Sequence, residues 1–294
     1  WTIIGGSGAV VEDAPPVAAI DGDNCIKFSE NGGGADGIES TPALNEAGDY
    51  VVEFLFLKVD TTSTTQIQFR NGGSNQYRLR FRDTGNFEYR DGNNWRVGAA
   101  YAANTWYRVR VAVDRGGGGT CSVWLDGTNV ASSVAAEGNS NLNTIRLIAQ
   151  TNNSNDSYID DFEIYTHKKW TGDSSTAWNT NANWSDGAVP ANGDTVRITD
   201  QSHQNFMPVL DADDTITELL FDDEDLGSGN ATLDLGTKTL TVSGAITMES
   251  GATFDVNDGT LSATGSGVTV DVDGTLKIDT GPADIAGTFD VDGT

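Results

Sequence analysis

The sequence predicts an all-β chain in two parts, an antiparallel β-sandwich followed by a stack of parallel β coils. Three observations predict it. The composition holds 35 Gly and 6 Pro with no long run of good helix formers, which suits many short strands joined by turns. Apolar and polar residues alternate with period two through the first half: Leu79 and Phe81 share one face while Arg78, Arg80 and Arg82 share the other, as in a sheet covered on one side. Finally, the phrase Phe254-Asp255-Val256-Asn257-Asp258-Gly259-Thr260-Leu261 returns as Val270-Asp271-Val272-Asp273-Gly274-Thr275-Leu276 and as Phe289-Asp290-Val291-Asp292-Gly293-Thr294. Aligned on Asp255, Asp271 and Asp290, the steps are 16 and 19 residues, the size of a coil that buries its apolar face only against its neighbours.

Taken in order, strands are predicted at Tyr50 to Val59, Thr65 to Arg70, Tyr77 to Arg82, Asn86 to Arg90, Tyr107 to Val113, Cys121 to Leu125, Thr144 to Ala149 and Tyr158 to Tyr165. Turn clusters such as Asn71-Gly72-Gly73, Asp91-Gly92-Asn93-Asn94 and Asp126-Gly127 separate them, at the spacing of an antiparallel sandwich. The first domain is therefore placed at 1–167 and the second at 168–294. The second opens with Trp-studded polar sequence from Trp170 to Pro190. Strands follow at Thr195 to Ile198, Ile216 to Phe221, Thr232 to Leu235 and Thr239 to Val242, and the repeat takes over after Gly244.

A net charge of −26 makes nucleic acid or an anionic membrane a poor partner. The same charge suits a protein exported into a salty or calcium-rich medium, or solubility alone. No apolar stretch approaches the roughly 20 residues of a membrane span, so no membrane insertion is expected. The chain opens at Trp1 without a signal peptide and stops in mid-phrase, and is expected to be a piece of an exported precursor, secreted or on the cell surface. Cys25 and Cys121 are a candidate disulfide in an oxidising compartment, or two buried thiols. Strand parity separates them: Cys25 faces away from Ile26 and Phe28, whereas Cys121 shares a face with Val123 and Leu125.

Trp106-Tyr107-Arg108-Val109-Arg110-Val111, Val123-Trp124-Leu125-Asp126-Gly127 and Tyr158-Ile159-Asp160-Asp161-Phe162-Glu163-Ile164-Tyr165 make the first half resemble the concanavalin-A-like, laminin-G-like jelly rolls of secreted bacterial proteins. The second half is similar to the start of β-helical regions in large bacterial surface adhesins, through Trp170, Gly172, Trp178, Asn183-Trp184, Pro190 and Gly193-Asp194. The expected fold is thus an antiparallel jelly-roll β-sandwich followed by a parallel β-helix, a solenoid whose open end the tryptophans cap. The jelly-roll resemblance also implies a structural Ca²⁺ at Asp160 and Asp161, with Glu12, Asp13, Asp21 and Asp23 as possible contributors. A solvated strand end is the alternative.

Basic residues concentrate between Arg70 and Arg115. Parity places Gln66, Gln68 and Arg70, then Arg78, Arg80 and Arg82, then Glu88 and Arg90, then Arg108 and Arg110, on outward faces. If these strands are neighbours, the ladder covers one sheet. Guanidinium forks match carboxylates and sulfates, so an acidic polysaccharide is the expected ligand, with Trp95, Tyr101 and Trp124 available to stack on sugar rings. The plainer reading is cross-strand Arg–Glu pairing, or a face that docks a neighbouring subunit. The Asp ladder of the repeats, Asp255, Asp271 and Asp290 with Asn257, Asp273 and Asp292, reads as solvated surface rather than a calcium stack.

Only two histidines occur, His167 and His203, and no Gly-x-Ser-x-Gly elbow, paired carboxylates at a mapped separation, phosphate loop or His/Cys metal cluster is visible. The chain is therefore expected to be non-catalytic: an adhesin-like surface protein carrying a carbohydrate-binding jelly roll on a β-helix stalk. A structural subunit of a filament, sheath or surface layer is the first alternative. The binding region of a larger secreted polysaccharide-degrading enzyme is the second.

Overall fold

The computed structural model describes residues 2–4, 9–12, 25–29, 37–39, 49–115, 119–149, 156–199, 206–222, 231–278 and 283–291. The chain divides into two compact units, Trp1–Thr166 and His167–Thr294. Among the described residues no helix is long and apolar enough to cross a membrane.

Unit 1 carries β1 (Thr2–Ile4), β2 (Ala9–Glu12), β3 (Cys25–Ser29), β4 (Gly37–Glu39), β5 (Tyr50–Lys58), β6 (Thr65–Asn71), β7 (Ser74–Phe81), β8 (Asn86–Asp91), β9 (Asn94–Ala100), β10 (Thr105–Asp114), β11 (Thr120–Leu125), β12 (Thr128–Ala135), β13 (Thr144–Ala149) and β14 (Asp156–Tyr165). They form two antiparallel sheets: sheet A in the order β1-β4-β13-β6-β7-β8-β9, and sheet B in the order β12-β11-β10-β5-β14-β3-β2. The alternating residues supply one core, with Phe54, Phe56, Ile67, Phe69, Leu79, Phe81, Phe87, Val109, Val111, Val123 and Leu147 at its centre. Strands β9 and β12 escape the sequence reading because both are exposed edge strands, with little apolar alternation to betray them. On β5 both faces are buried. The inner face of that strand ends in Lys58, 1% exposed, whose Nζ donates to Thr65 Oγ1 at 3.2 Å.

The disulfide expectation is corrected. Cys25 and Cys121 are both buried and not joined. Cys121 packs inside the sandwich with Val123, whereas Cys25 packs with Leu55, Leu57, Trp106 and Tyr158 on the other side of sheet B. A sheet lies between the two sulfurs, which rules out the bond.

Unit 2 carries β15 (Lys168–Lys169), β16 (Thr195–Thr199), β17 (Asp214–Ile216), β18 (Glu218–Asp222), β19 (Thr232–Asp234), β20 (Thr239–Val242), β21 (Ile246–Met248), β22 (Thr253–Asp255), β23 (Thr260–Val272), β24 (Thr275–Lys277) and β25 (Ala283–Val291). Their pairings are parallel: β15-β16-β18-β21-β23 in one series, β17-β20-β23 in a second, β19-β22-β24 in a third, and β23 with β25. The single strand expected from Ile216 to Phe221 is two strands. Thr217 turns the chain between them, its N–H and that of Glu218 both donating to the Asp194 carbonyl.

Trp170, Trp178 and Trp184 are fully buried at the start of this unit, against the core that includes Val196 and Ile198. Trp184 meets the other two rings edge-on at 5.1 and 4.7 Å. Each indole N–H is satisfied, by Phe206 O at 2.7 Å, Asp214 Oδ2 at 2.5 Å and Trp178 O at 2.7 Å respectively, as buried tryptophan requires. Gly172, at φ +57°, lies where a Cβ would come within 2.3 Å of Phe206 O, so no larger residue fits that approach.

The repeat alignment is also corrected. Asp271 pairs with Asp290, but Asp255 pairs with Asp234 on one side and Lys277 on the other. Asp255 therefore belongs to a different sheet from Asp271, and no ladder runs through all three. Lys277 Nζ lies 3.3 Å from Asp255 Oδ2 and relieves the like-charge repulsion that a pure Asp column would suffer. Asn257, at φ +50°, turns the corner after β22 and donates from Nδ2 to Asp234 Oδ1 at 2.8 Å. Asp292 lies outside the described residues.

Candidate functional site

On sheet A the residues between the core positions point outward. The register sets Gln66 opposite Arg80 and Gln68 opposite Arg78, Arg80 opposite Glu88, and Arg90 opposite Trp95. Arg82 follows β7 directly. These eight residues form one patch, with Arg70 further along β6. Gln68 Nε2 donates to Gln66 Oε1 at 2.6 Å.

Trp95 is the centre of the patch. The guanidinium groups of Arg80, Arg90 and Arg78 lie 4.0, 5.1 and 5.8 Å from its ring centroid, within cation–π range. Two carboxylates also bind these arginines and Arg82. Glu137, just after β12, accepts from Arg78 Nε at 2.8 Å and from Arg90 Nε at 3.0 Å. Glu88 accepts from Arg80 Nε at 2.7 Å and from Arg82 at 3.2 Å. Further along the sheet Glu39 lies 3.9 Å from both Arg70 and Arg146. Each carboxylate is thus shared by two guanidinium groups. The face keeps a cationic excess on a chain whose net charge is −26. The Arg146 guanidinium is shifted below the usual arginine range by burial and by the charge of Arg70, with Glu39 opposing.

The structure does not bring Arg108 and Arg110 to this patch, which corrects the expectation of one ladder. Their parity is outward as read, but β10 pairs with β5 and β11 and so carries them to sheet B. There Arg108 donates to Glu53 Oε1 at 2.8 Å and Tyr165 donates to Glu53 Oε2 at 2.9 Å. Arg110, 3% exposed, lies 4.5 Å from the Trp124 ring. Burial, then the Glu53 charge, pushes the Tyr165 hydroxyl well above the ordinary tyrosine range. Trp124 and Tyr101 are buried, and Tyr101 spends its hydroxyl on Arg82 O at 2.8 Å. Of the three aromatic rings expected to stack on sugars, Trp95 is the one on the arginine patch.

Asp160 and Asp161 sit at a bulge of β14, with Asp161 at φ +49°. Asp160 Oδ1 accepts from the Asp161 N–H at 3.0 Å, while Oδ2 is buried with no hydrogen-bond partner among the described residues. Burial raises the Asp160 carboxyl pKa, against that N–H and with the Asp161 charge. Asp161 lies 3.7 Å from Arg108. Calcium takes six to eight oxygens, and among the described residues no group of three or more His, Cys, Asp or Glu is placed to hold a metal. Asp13, Asp21 and Asp23 lie outside the described residues, as does His203.

Sequence reading missed Glu39, Glu137 and Arg146. Glu39 and Arg146 come from β4 and β13, which sheet order places beside β6; Glu137 follows β12 of sheet B and is held against β7 by its N–H, which donates to Gln76 O at 2.9 Å. In unit 2 a concavity of about 430 Å³ is lined by Asn192, Asp213, Asp214, Thr215, Thr239 and Thr241.

No family model matches the chain, and no curated protein matches it by sequence. Solved structures do match. A sialidase does so at 14% identity and a TM-score of 0.44, over 49% of this chain and 15% of that one. An endo-β-1,4-glucuronan lyase from the fungus Trichoderma reesei gives 14% identity and 0.40, over 56% and 90%. The catalytic domain of a glycoside hydrolase family 131 protein from Coprinopsis cinerea gives 15% and 0.39, over 55% and 84%. The likeness is one of architecture and assigns no reaction to this chain. Enzymes nevertheless stand among the matches, so the expectation of a non-catalytic chain is withdrawn.

Proposed function

We propose that the outer face of sheet A binds an acidic polysaccharide, and that the chain is the recognition region of a larger secreted polysaccharide-processing protein. The observation that carries this reading is the half-buried Trp95 ring beneath the guanidinium groups of Arg78, Arg80 and Arg90, on a face where arginines outnumber carboxylates. Guanidinium forks suit carboxylates and sulfates, and an indole suits the apolar face of a sugar. An adhesin displayed on a stalk is a second reading that uses the same patch. Both readings take unit 2 as the first coils of a parallel β-helix, supported by Leu233, Phe254 and Leu276 stacking through parallel strands.

Calorimetric titration with polyuronate and with a neutral glucan, at low and high salt, tests the proposal. Salt-sensitive binding of the polyuronate alone is expected, weakened about tenfold or more in Trp95→Ala. Equal binding of both polymers, or of neither, overturns it. Following the same mixtures for new chain ends reports whether binding leads to cleavage. The structural calcium joins this proposal at Asp160 and Asp161. A melting temperature unmoved by chelator counts against it.

A further inference from the structure

We propose a second anion subsite on this face, formed by Arg70 and Arg146 astride Glu39, so that an acidic polymer lies across the strands from there to Trp95. The inference rests on the polysaccharide reading above and extends it to residues that reading does not use.

Register carries the argument first. Glu39 is opposite Arg146, Arg146 opposite Gln68, and Gln68 opposite Arg78. The pairing of β7 with β8 continues that row toward Arg90, which is opposite Trp95. One line of outward residues therefore crosses β4, β13, β6, β7, β8 and β9 at right angles to the strands. From β13 to β9 it spans four strand spacings, about 19 Å. A ligand reaching both ends must be a chain of several charged sugars.

Unspent chemistry carries it second. Around Trp95 the guanidinium groups are hydrogen-bonded to Glu88 and Glu137. At the other end Glu39 lies 3.9 Å from each arginine, close enough for charge pairing and too far for a hydrogen bond. The Nε atoms of Arg70 and Arg146 are both buried with no partner among the described residues. Arg70 spends one NH2 donor on Gly73 O at 3.0 Å. Two half-buried cations facing one another across a single distant carboxylate form a site that a ligand carboxylate would complete. Burial, then the Arg70 charge, lowers the Arg146 pKa, with Glu39 opposing.

The experiment titrates the full chain with uronate disaccharide, tetrasaccharide and hexasaccharide by calorimetry at low salt. The hexasaccharide should bind about tenfold more tightly than the disaccharide, the worth of roughly one charged hydrogen-bonded contact. Arg146→Gln should abolish that gain, whereas Trp95→Ala should weaken disaccharide and hexasaccharide alike. Glu39→Gln should lower the melting temperature yet tighten hexasaccharide binding, because it removes the competitor for both guanidinium groups. A purely structural cluster predicts no tightening. Disaccharide binding without a length dependence, or a hexasaccharide gain that survives in a folded Arg146→Gln variant, overturns the second subsite alone. Failure of every uronate to bind overturns the polysaccharide reading with it.

Discussion

The outer faces of sheets A and B both carry arginines read from the same alternating pattern, and they end in opposite states. On sheet B, Glu53 is 5% exposed at its side chain and serves Arg108 and the Tyr165 hydroxyl together, while Arg110 lies over Trp124. That face closes on itself, with Val51, Ala112, Trp124 and Tyr165 packed around the polar groups. On sheet A Glu39, Glu88 and Glu137 are each divided between two guanidinium groups, and the side chains of Arg78 and Arg80 remain 21% and 16% exposed, as Arg108 does on sheet B at 21%, whereas Arg110 there is buried. The same residue type thus becomes interior structure at Arg110 and a cationic surface at Arg78 and Arg80. What decides is the ratio of acceptors to donors and whether apolar neighbours seal the face.

The largest expected effect tests the sealed side. Glu53→Ala removes the acceptor shared by Arg108 and Tyr165, leaving the buried Tyr165 hydroxyl without it and Arg108 with only the more distant Asp161. A loss of about 3 kcal/mol in urea unfolding follows, with polyuronate binding unchanged. A loss below about 1 kcal/mol would place Glu53 with ordinary surface ion pairs and end the contrast between the sheets. Tyr165→Phe is the milder version, removing one hydrogen bond to the carboxylate at a cost of about 1–2 kcal/mol.

Trp95→Ala tests the open side. The ring is half-buried and packs on guanidinium groups rather than on the core. Its removal should cost about 1 kcal/mol of stability, while weakening polyuronate about tenfold or more. A stability loss matching that of Glu53→Ala, with affinity intact, would make sheet A a second structural face.

How much of this could be read in advance depends on the range of the interaction. Alternation in β6, β7 and β10 is local, so the outward direction of Gln66, Arg80 and Arg108 followed from the chain itself. Membership of a sheet is not local. Nothing near Arg108 tells that β10 pairs with β5 rather than with β8, and nothing near Arg146 tells that it lies opposite Gln68. The repeated phrase misled for a related reason. In Asp255 to Leu261 it leads from β22 around a corner into β23, whereas in Asp271 to Leu276 it leads from the end of β23 into β24. It encodes an Asp-Gly corner, which a stack of parallel strands needs several times, so matching its copies gave the wrong partner for Asp255.

The smallest effect sharpens the comparison at the edge of the sealed face. Asp160 has one carboxylate oxygen buried without a partner among the described residues, and burial raises its pKa. A raised carboxyl pKa means that the folded protein binds this proton at a higher pH than the unfolded chain does. Its contribution to stability is therefore present at low pH and lost as pH rises through the folded value. In chelator, Asp160→Asn should melt slightly higher than the parent at pH 7, where the parent carries a poorly solvated charge. The gap should close as the pH falls and Asp160 protonates in both states. Asp161, which has Arg108 within 3.7 Å, is the internal control: Asp161→Asn should melt lower at pH 7, because it removes the carboxylate that faces the cation. Equal shifts from both substitutions would mean that the bulge, rather than the balance of charge and solvation, sets the response.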